Sequence, residues 1–196
     1  MNRFDIPNAP IIETTLSKDM MDYLWSQIAV ARKDKFNASD RLVGHITSSL
    51  ELPDHKQKFT PYIMNLAKEL CLMDAEVQRD IYYEIGSIWV NFQNKLEFNP
   101  IHSHTGAISF VIWMKIPYKW EDECKTIPAQ GIAETPLSGC FQFIYNDILG
   151  FIRTYDYKLG PSLEGTLLVF PSQLKHTVYP FYTSDGERIS ISGNIF

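Results

Sequence analysis

Three of the five histidines in this 196-residue chain have a spacing that could bind a metal ion. His102 and His104 lie two residues apart, just before an apolar run at 107–116 that is rich in β-forming residues. If this segment is extended, both imidazoles project from the same face. His176 begins another predicted strand, and imidazoles from two strands can converge on one metal at the mouth of a barrel. The spacing alone also fits an ordinary pair of surface histidines.

Arg188 lies twelve residues after His176, on the next predicted strand, and is followed two residues later by Ser190. A guanidinium group and a hydroxyl on one strand face suit the capture of a carboxylate. In a strand over 188–195, side chains alternate between two faces. One face carries Arg188, Ser190, Ser192 and Asn194, and the other carries Ile189, Ile191 and Ile195. The polar face could line a cavity or face solvent, and a weak surface ion pair is the simpler explanation for Arg188.

The elements that must position these residues are mostly short strands. After residue 80, aromatic and β-branched runs separated by turn residues predict strands near 80–91, 107–116, 140–145, 151–156, 166–170, 176–179 and 188–195. Many short strands without intervening helices favour an antiparallel sandwich or jelly roll. Residues 118–138 have no clear periodicity, and loops of that length are often lids or binding loops.

Before residue 80 the sequence predicts two helices. One covers 17–33 with Ser17 as its N-cap, and the other covers 59–73 with Thr60 as cap and Pro61 in the first turn. Short strands are expected near 11–16 and 44–50. We therefore expect a single domain over 1–196, in which 1–80 is a helical N-terminal elaboration packed on one sheet and 81–196 is the jelly-roll core that carries the site.

Composition excludes several classes of protein. Hydrophobic residues make up 45% and charged residues 21%, which is close to the average for globular proteins and unlike disordered or coiled-coil chains. The formal charge of −5, with no basic cluster, argues against nucleic acid as a partner. The N-terminus lacks an apolar signal segment, and no apolar run is long enough to predict a membrane span. The cysteines at 71, 124 and 140 have no metal-type spacing, which favours a reduced, cytoplasmic compartment.

Several blocks of the sequence together match a known pattern. They are Trp89-Val90-Asn91, His102-Ser103-His104, Ile108 to Trp113, Glu164 to Ser172, Leu174 to Val178, and Arg188 to Ser192. With these blocks the chain resembles the 2-oxoglutarate/Fe(II)-dependent oxygenases, and more narrowly a group of them that is widespread in marine phages and bacteria. The blocks span about residues 85–196, and the N-terminal block matches only loosely.

This resemblance implies a double-stranded β-helix fold and a dioxygenase with Fe(II), 2-oxoglutarate and O2. It implies a hydroxylase that couples decarboxylation of 2-oxoglutarate to oxidation of a substrate C–H bond, with the prime substrate unidentified. His102 would be the first iron ligand and His176 the distal one, while Arg188 and Ser190 would bind the C5 carboxylate of 2-oxoglutarate. A phage-encoded member would act in the host cytoplasm.

The residue at 104 departs from the usual family pattern of two histidines and one carboxylate. His104 could be a third neutral ligand, giving a metal site of His102, His104 and His176. It could instead be the first ligand, with Gly106 in the carboxylate position and room for a halide, as in a halogenase-like enzyme. The site could also be degenerate, in a non-catalytic jelly-roll module that keeps a metal for binding or assembly.

Overall fold

The computed structural model describes residues 9–35, 44–52, 58–72, 83–126 and 136–196. In chain order its elements are β1 (Ile12–Thr15), α1 (Lys18–Asp34), β2 (Ser49–Glu51), α2 (Phe59–Leu72), β3 (Ile85–Gln93), β4 (Asn99–His102), β5 (Ile108–Lys115), α3 (Trp120–Glu123), β6 (Cys140–Asn146), β7 (Ile152–Lys158), a short 3₁₀ helix (Pro161–Leu163), β8 (Thr166–Pro171), β9 (Lys175–Val178) and β10 (Arg188–Ile195). The prediction of a mainly β chain is confirmed.

The strands form two antiparallel sheets. The larger sheet has the order β1-β8-β5-β10-β3-β2, and the smaller one has the order β4-β9-β6-β7. Strand β10 lies between β3 and β5 and pairs with both of them antiparallel. The last strand of the chain thus joins elements that are distant in sequence.

Both faces of the six-stranded sheet are buried. On one face Ile189, Ile191 and Ile195 belong to the same apolar cluster as helix residues such as Leu24 and Ile63. On the other face a second cluster contains β5, β6 and β8 residues, namely Val111, Trp113, Phe141, Phe143, Leu168 and Phe170. The second cluster therefore combines side chains from both sheets. The face of β10 that is turned toward this cluster carries the polar residues of the strand.

Both predicted helices are observed, and their starts differ in detail. At α1 the Ser17 Oγ accepts a hydrogen bond from the Met20 N–H at 3.3 Å, so Ser17 is the predicted N-cap. The prediction of Thr60 as the cap of α2 is wrong, because this helix already begins at Phe59. Pro61 lies in its first turn, where backbone N–H groups have no intrahelical partner and a proline costs little. Residue 73, the predicted end, lies outside the described residues.

Strand β4 is the main element that the sequence analysis missed. His102 lies on β4 in the smaller sheet, whereas the spacing had predicted it at the entry to β5. Asn99-Pro100 suggested a chain break, but β4 is an edge strand of its sheet, and an edge strand tolerates the missing N–H of proline. In the predicted loop at 118–138, the helix α3 forms at Trp120–Glu123, and residues 127–135 lie outside the described part.

The structure also bears on the expected lack of a membrane span and on the three cysteines. Among the described residues, no helix combines the length and the apolar character that a membrane span requires. Cys71, Cys124 and Cys140 are all free thiols, as their spacing predicted.

Candidate metal centre

Three histidine side chains converge at one end of the smaller sheet. His102 on β4 lies directly opposite His176 on β9, and His104 follows in the connection to β5. One ring nitrogen of each histidine lies within 4.8 Å of the corresponding nitrogens of the other two. The ring centroids are 4.3 Å apart for His102 and His176, 4.9 Å for His102 and His104, and 5.1 Å for His104 and His176.

The backbone around His104 fixes the loop that carries it. The His104 N–H donates to the Ser172 carbonyl at 2.9 Å, and the His104 carbonyl accepts from Gln173 Nε2 at 3.0 Å. Both partners belong to the turn between β8 and β9, which also leads to His176. The turn thus fixes the backbone positions of His104 and His176 relative to each other.

Hydrogen bonds set the tautomers of two rings. His102 Nδ1 lies 2.7 Å from the Pro100 carbonyl, and His176 Nδ1 lies 2.9 Å from the Leu174 carbonyl. Because a carbonyl only accepts, each Nδ1 carries the proton and donates it. This leaves the Nε2 lone pair as the metal-ligating atom, an arrangement common in metal sites.

The environment keeps all three imidazoles neutral. Burial lowers the pKa of His102, and the bond to the Pro100 carbonyl opposes this only in part. Burial and the charge of His102 lower the pKa of His104 to about 4. Burial, together with repulsion from His102 and His104 when those rings are protonated, lowers the pKa of His176 to about 3. Metal binding requires the neutral imidazole, so these rings are ready to act as ligands near neutral pH.

The histidines open onto a cavity of about 370 Å³ between the sheets. The polar face of β10 lines it as the alternation allowed, with Arg188, Ser190, Ser192 and Asn194. Aromatic rings complete the wall, including Trp89, Trp113 and Phe170. Among the described residues that line the cavity there is no aspartate, glutamate or lysine, so Arg188 has the only permanently charged side chain in this lining.

Arg188 is buried with an exposed fraction of 2%. Its guanidinium contacts the Gln93 side chain, the Tyr118 hydroxyl and the carbonyls of Gly139 and Tyr179. Within the described part of the chain, no carboxylate lies within ion-pair distance of it. The surface ion pair considered from the sequence is therefore not what holds Arg188.

Three polar residues near Arg188 were not predicted as site residues from the sequence. Gln93 and Tyr118 contact the guanidinium, and Asn91 lines the cavity beside Ser190, its register partner. The alternation of Trp89, Asn91 and Gln93 along β3 was a usable signal, because it repeats the polar pattern of β10. Tyr118 gives no such signal, because it lies outside any strand.

Gly106 does not fit the position of a missing carboxylate ligand. Its φ is +101°, and a Cβ added there would lie 2.8 Å from the Ile195 carbonyl oxygen of β10. A side chain at 106 would thus meet the β10 backbone. The geometry does not support the alternative in which Gly106 leaves a vacant ligand position.

The residues present fit a divalent transition metal and a dicarboxylate. Three neutral imidazoles suit iron, zinc or copper, although the set lacks the carboxylate of the common facial triad. A buried guanidinium with no carboxylate partner among the described residues fits an anionic ligand. Both features face the same cavity.

Comparison with known proteins identifies the family. The profile of the family described as "Putative 2OG-Fe(II) oxygenase" matches residues 87–194, which is more than half of the chain. The chain belongs to this family of Fe(II)- and 2-oxoglutarate-dependent oxygenases, as its motifs suggested. Its cofactors are accordingly Fe(II) and 2-oxoglutarate, with O2 as cosubstrate.

Two solved structures share the fold. A prolyl-4-hydroxylase from Pseudomonas putida is 13% identical with a TM-score of 0.54, and the match covers 93% of this chain and 90% of that one. A viral collagen prolyl hydroxylase from Paramecium bursaria Chlorella virus-1, solved with 2-oxoglutarate, is 13% identical with a TM-score of 0.55 and 94% coverage of both chains. A search of curated protein sequences gave no significant match to this chain.

Proposed function

We propose that this oxygenase is a hydroxylase whose iron is bound by His102, His104 and His176. The C5 carboxylate of 2-oxoglutarate is bound by Arg188, with Ser190 as a second donor. The observation that carries this proposal is the convergence of three neutral imidazoles and one buried guanidinium on a single cavity. The activity named for the two similar structures, prolyl hydroxylation, supports hydroxylation as the reaction type and leaves the substrate of this chain open.

The three-histidine ligand set is supported by ring geometry and by tautomer. The three imidazoles come from different backbone positions, and one nitrogen of each lies within 4.8 Å of the others. Two of the rings have Nε2 free because Nδ1 donates to a carbonyl. His104 occupies the place of the usual carboxylate, and its backbone is fixed on both sides by the β8–β9 turn. These contacts favour a third ligand over a degenerate site.

The assignment of Arg188 is supported by burial and by charge. A buried cation without a carboxylate in ion-pair distance is costly unless an anion compensates it. Its longest hydrogen bond, from Nη1 to the Gly139 carbonyl at 3.5 Å, is the one that a ligand carboxylate would most readily replace. Ser190 lies on the same strand face as Arg188, between it and Ser192. Ser192 pairs with Trp89 of β3, and the Trp89 ring centroid lies 6.0 Å from that of His104.

The chain's residues bind, orient and shield the reactants. Iron and 2-oxoglutarate, when bound, supply the activation of O2 that couples loss of CO2 to oxidation of a substrate C–H bond. Arg188 holds the far carboxylate and so directs the 2-oxo end toward the histidines. Trp89, Trp113 and Phe170 exclude water from the inner wall, which strengthens the interaction of Arg188 with its anion.

We also propose how the sheets and helices form one domain. The two sheets form a double-stranded β-helix within one domain over 1–196, in which 81–196 carries the site. Residues of α1 and α2 in the apolar cluster of the larger sheet support helices packed on that sheet. A cytoplasmic location and a substrate other than nucleic acid remain predictions from composition.

Anaerobic titration tests the proposal. Fe(II) followed by 2-oxoglutarate should produce a weak visible charge-transfer band that saturates, because the 2-oxo acid binds the iron directly. His176→Ala should give no band. Wild-type protein that binds 2-oxoglutarate without any such band would contradict the proposed site.

A further inference from the structure

The guanidinium of Arg188 is held entirely by neutral acceptors. Nε donates to Gln93 Oε1 at 3.1 Å, and Nη2 donates to the same oxygen and to the Tyr179 carbonyl at 3.2 Å. Nη1 donates to the Tyr118 hydroxyl and to the Gly139 carbonyl. These contacts use the five N–H donors of an arginine without neutralising its charge. A ligand carboxylate would bond to the guanidinium by displacing the weakest of them, the 3.5 Å contact with the Gly139 carbonyl.

The nearby buried acid is engaged elsewhere. Glu123 is fully buried, and its carboxylate accepts from the N–H groups of Tyr182 and Thr183 at 2.8 and 2.9 Å. The Thr183 hydroxyl also donates to it. Three donors therefore occupy this carboxylate, and Arg188 makes no ion pair with it.

Gln93 is the central neutral acceptor. It is buried, it lies opposite Arg188 in the register of β3 and β10, and its Oε1 accepts from two guanidinium nitrogens. Its Nε2 donates to the Glu97 carbonyl at 2.6 Å, which turns Oε1 toward Arg188. A glutamate of the same shape would accept the same two bonds and would also pair with the cation, but it would lose the donor to the Glu97 carbonyl, as methionine at this position also would.

We infer that Gln93 is a positioning residue whose uncharged amide orients Arg188 while leaving its positive charge available for the distal carboxylate of 2-oxoglutarate. This inference rests on the proposed role of Arg188. It makes the neutrality of residue 93, and not only its hydrogen bonds, a determinant of cosubstrate choice.

The test compares two ligands by calorimetry on protein loaded with Zn²⁺ in place of Fe(II). 2-Oxoglutarate has the distal carboxylate and 2-oxobutanoate lacks it. Gln93→Glu should weaken 2-oxoglutarate binding by about tenfold or more, since an internal ion pair replaces the charge-assisted bonds to the ligand. Binding of 2-oxobutanoate should be unchanged. Asn94→Asp, which adds the same charge at the exposed neighbouring residue, should change neither affinity.

A second variant separates charge from hydrogen bonding. Gln93→Met removes the acceptor without adding charge, so 2-oxoglutarate affinity should fall in the order wild type, Gln93→Met, Gln93→Glu. A Gln93→Glu protein that binds 2-oxoglutarate as tightly as wild type overturns the inference. If thermal melting shows that Gln93→Glu is unfolded, Gln93→Met decides: a loss confined to 2-oxoglutarate supports the inference, and wild-type affinity overturns it.

The outcome also separates this inference from the function on which it rests. Wild-type protein that binds the two ligands equally well would show that Arg188 is not the anchor, and both proposals would fall. Wild-type preference for 2-oxoglutarate that Gln93→Glu retains would leave Arg188 in place and overturn the role of Gln93 alone.

Discussion

The candidate ligands His102, His104 and His176 are all neutral, and this sets the charge of the site. A facial triad with one carboxylate reduces the charge of a divalent metal by one unit, whereas three imidazoles leave it unchanged. Arg188 adds a further positive charge in the same cavity. The site therefore favours a dianion such as 2-oxoglutarate more strongly than a carboxylate-containing site would.

His176→Ala should abolish stoichiometric Fe(II) binding, because the two remaining imidazoles hold the metal poorly. Elemental analysis after anaerobic loading measures this. His45→Ala is a matched control, since His45 is exposed, stacks on Phe98 and is not among the described residues that line the cavity. Thermal melting of both metal-free variants shows whether the fold survives, and near-normal iron content in a folded His176→Ala protein would refute the assignment.

Arg188→Lys should weaken 2-oxoglutarate binding and leave metal binding intact. Lysine keeps the charge but loses the two-pronged geometry. Each charge-assisted hydrogen bond is worth about 1.5–3 kcal/mol, so the loss should reach about tenfold or more. Ser190→Ala should show a smaller loss in the same direction. Calorimetry with a redox-inert metal measures both, and equal affinity in wild type and Arg188→Lys would mean that the cosubstrate site lies elsewhere.

At the scale of elements, β10 was the most predictable strand and β4 the least. Strict alternation over eight residues gives β10 two distinct faces, and the structure buries one and opens the other to the cavity. Strand β4 has only four residues and contains Pro100, so no periodicity could reveal it. Its place depends on pairing with β9, more than seventy residues later, which local sequence does not encode.

The same limit applies to the contacts of Arg188. Its partners Gln93 and Tyr118 are 95 and 70 residues away in sequence. The sequence predicted which residues of β10 share a face, because alternation is local, and left open whether this face lines a cavity. It could not predict which neutral groups hold the guanidinium, because these contacts arise only when the strands and the segment after β5 come together.

The close approach of Gly106 to β10 gives a prediction at this scale. Gly106→Ala should lower stability by more than the roughly 1–2 kcal/mol of a left-handed alanine, because the added Cβ would meet the Ile195 carbonyl. Gly150→Ala is the control, since Gly150 also has a positive φ, of +83°, but has no atom within 4 Å of the added Cβ. Denaturant unfolding of the two variants measures the difference. Equal destabilisation would show that the contact with β10 is not close.

At the scale of the whole molecule, the two faces of the larger sheet have different roles. One face packs with apolar residues of α1 and α2, and the other forms the inter-sheet cluster and the cavity wall. From the sequence, the isoleucines of β10 and the helical spacing of apolar residues predicted one apolar face for each of these elements. The sequence could not predict the sheet order, which depends on long-range pairing.

Leu24→Ala tests this division. Leu24 is fully buried in the cluster that α1 shares with the sheet. Its truncation should cost about 2–5 kcal/mol of stability, while metal affinity of the folded protein stays unchanged because the site lies on the opposite face. Trp25→Ala, at a residue with 36% exposure, should cost less. Loss of metal affinity in folded Leu24→Ala would show that the two faces are not independent.

The most direct test of the central claim is a crystal structure of the protein with a redox-inert divalent metal and 2-oxoglutarate. We expect the metal at about 2.0–2.2 Å from Nε2 of His102, His104 and His176. We expect the C5 carboxylate on Arg188. A metal bound by an aspartate or glutamate in place of His104, or a 2-oxoglutarate whose C5 carboxylate lies away from Arg188, would contradict the account.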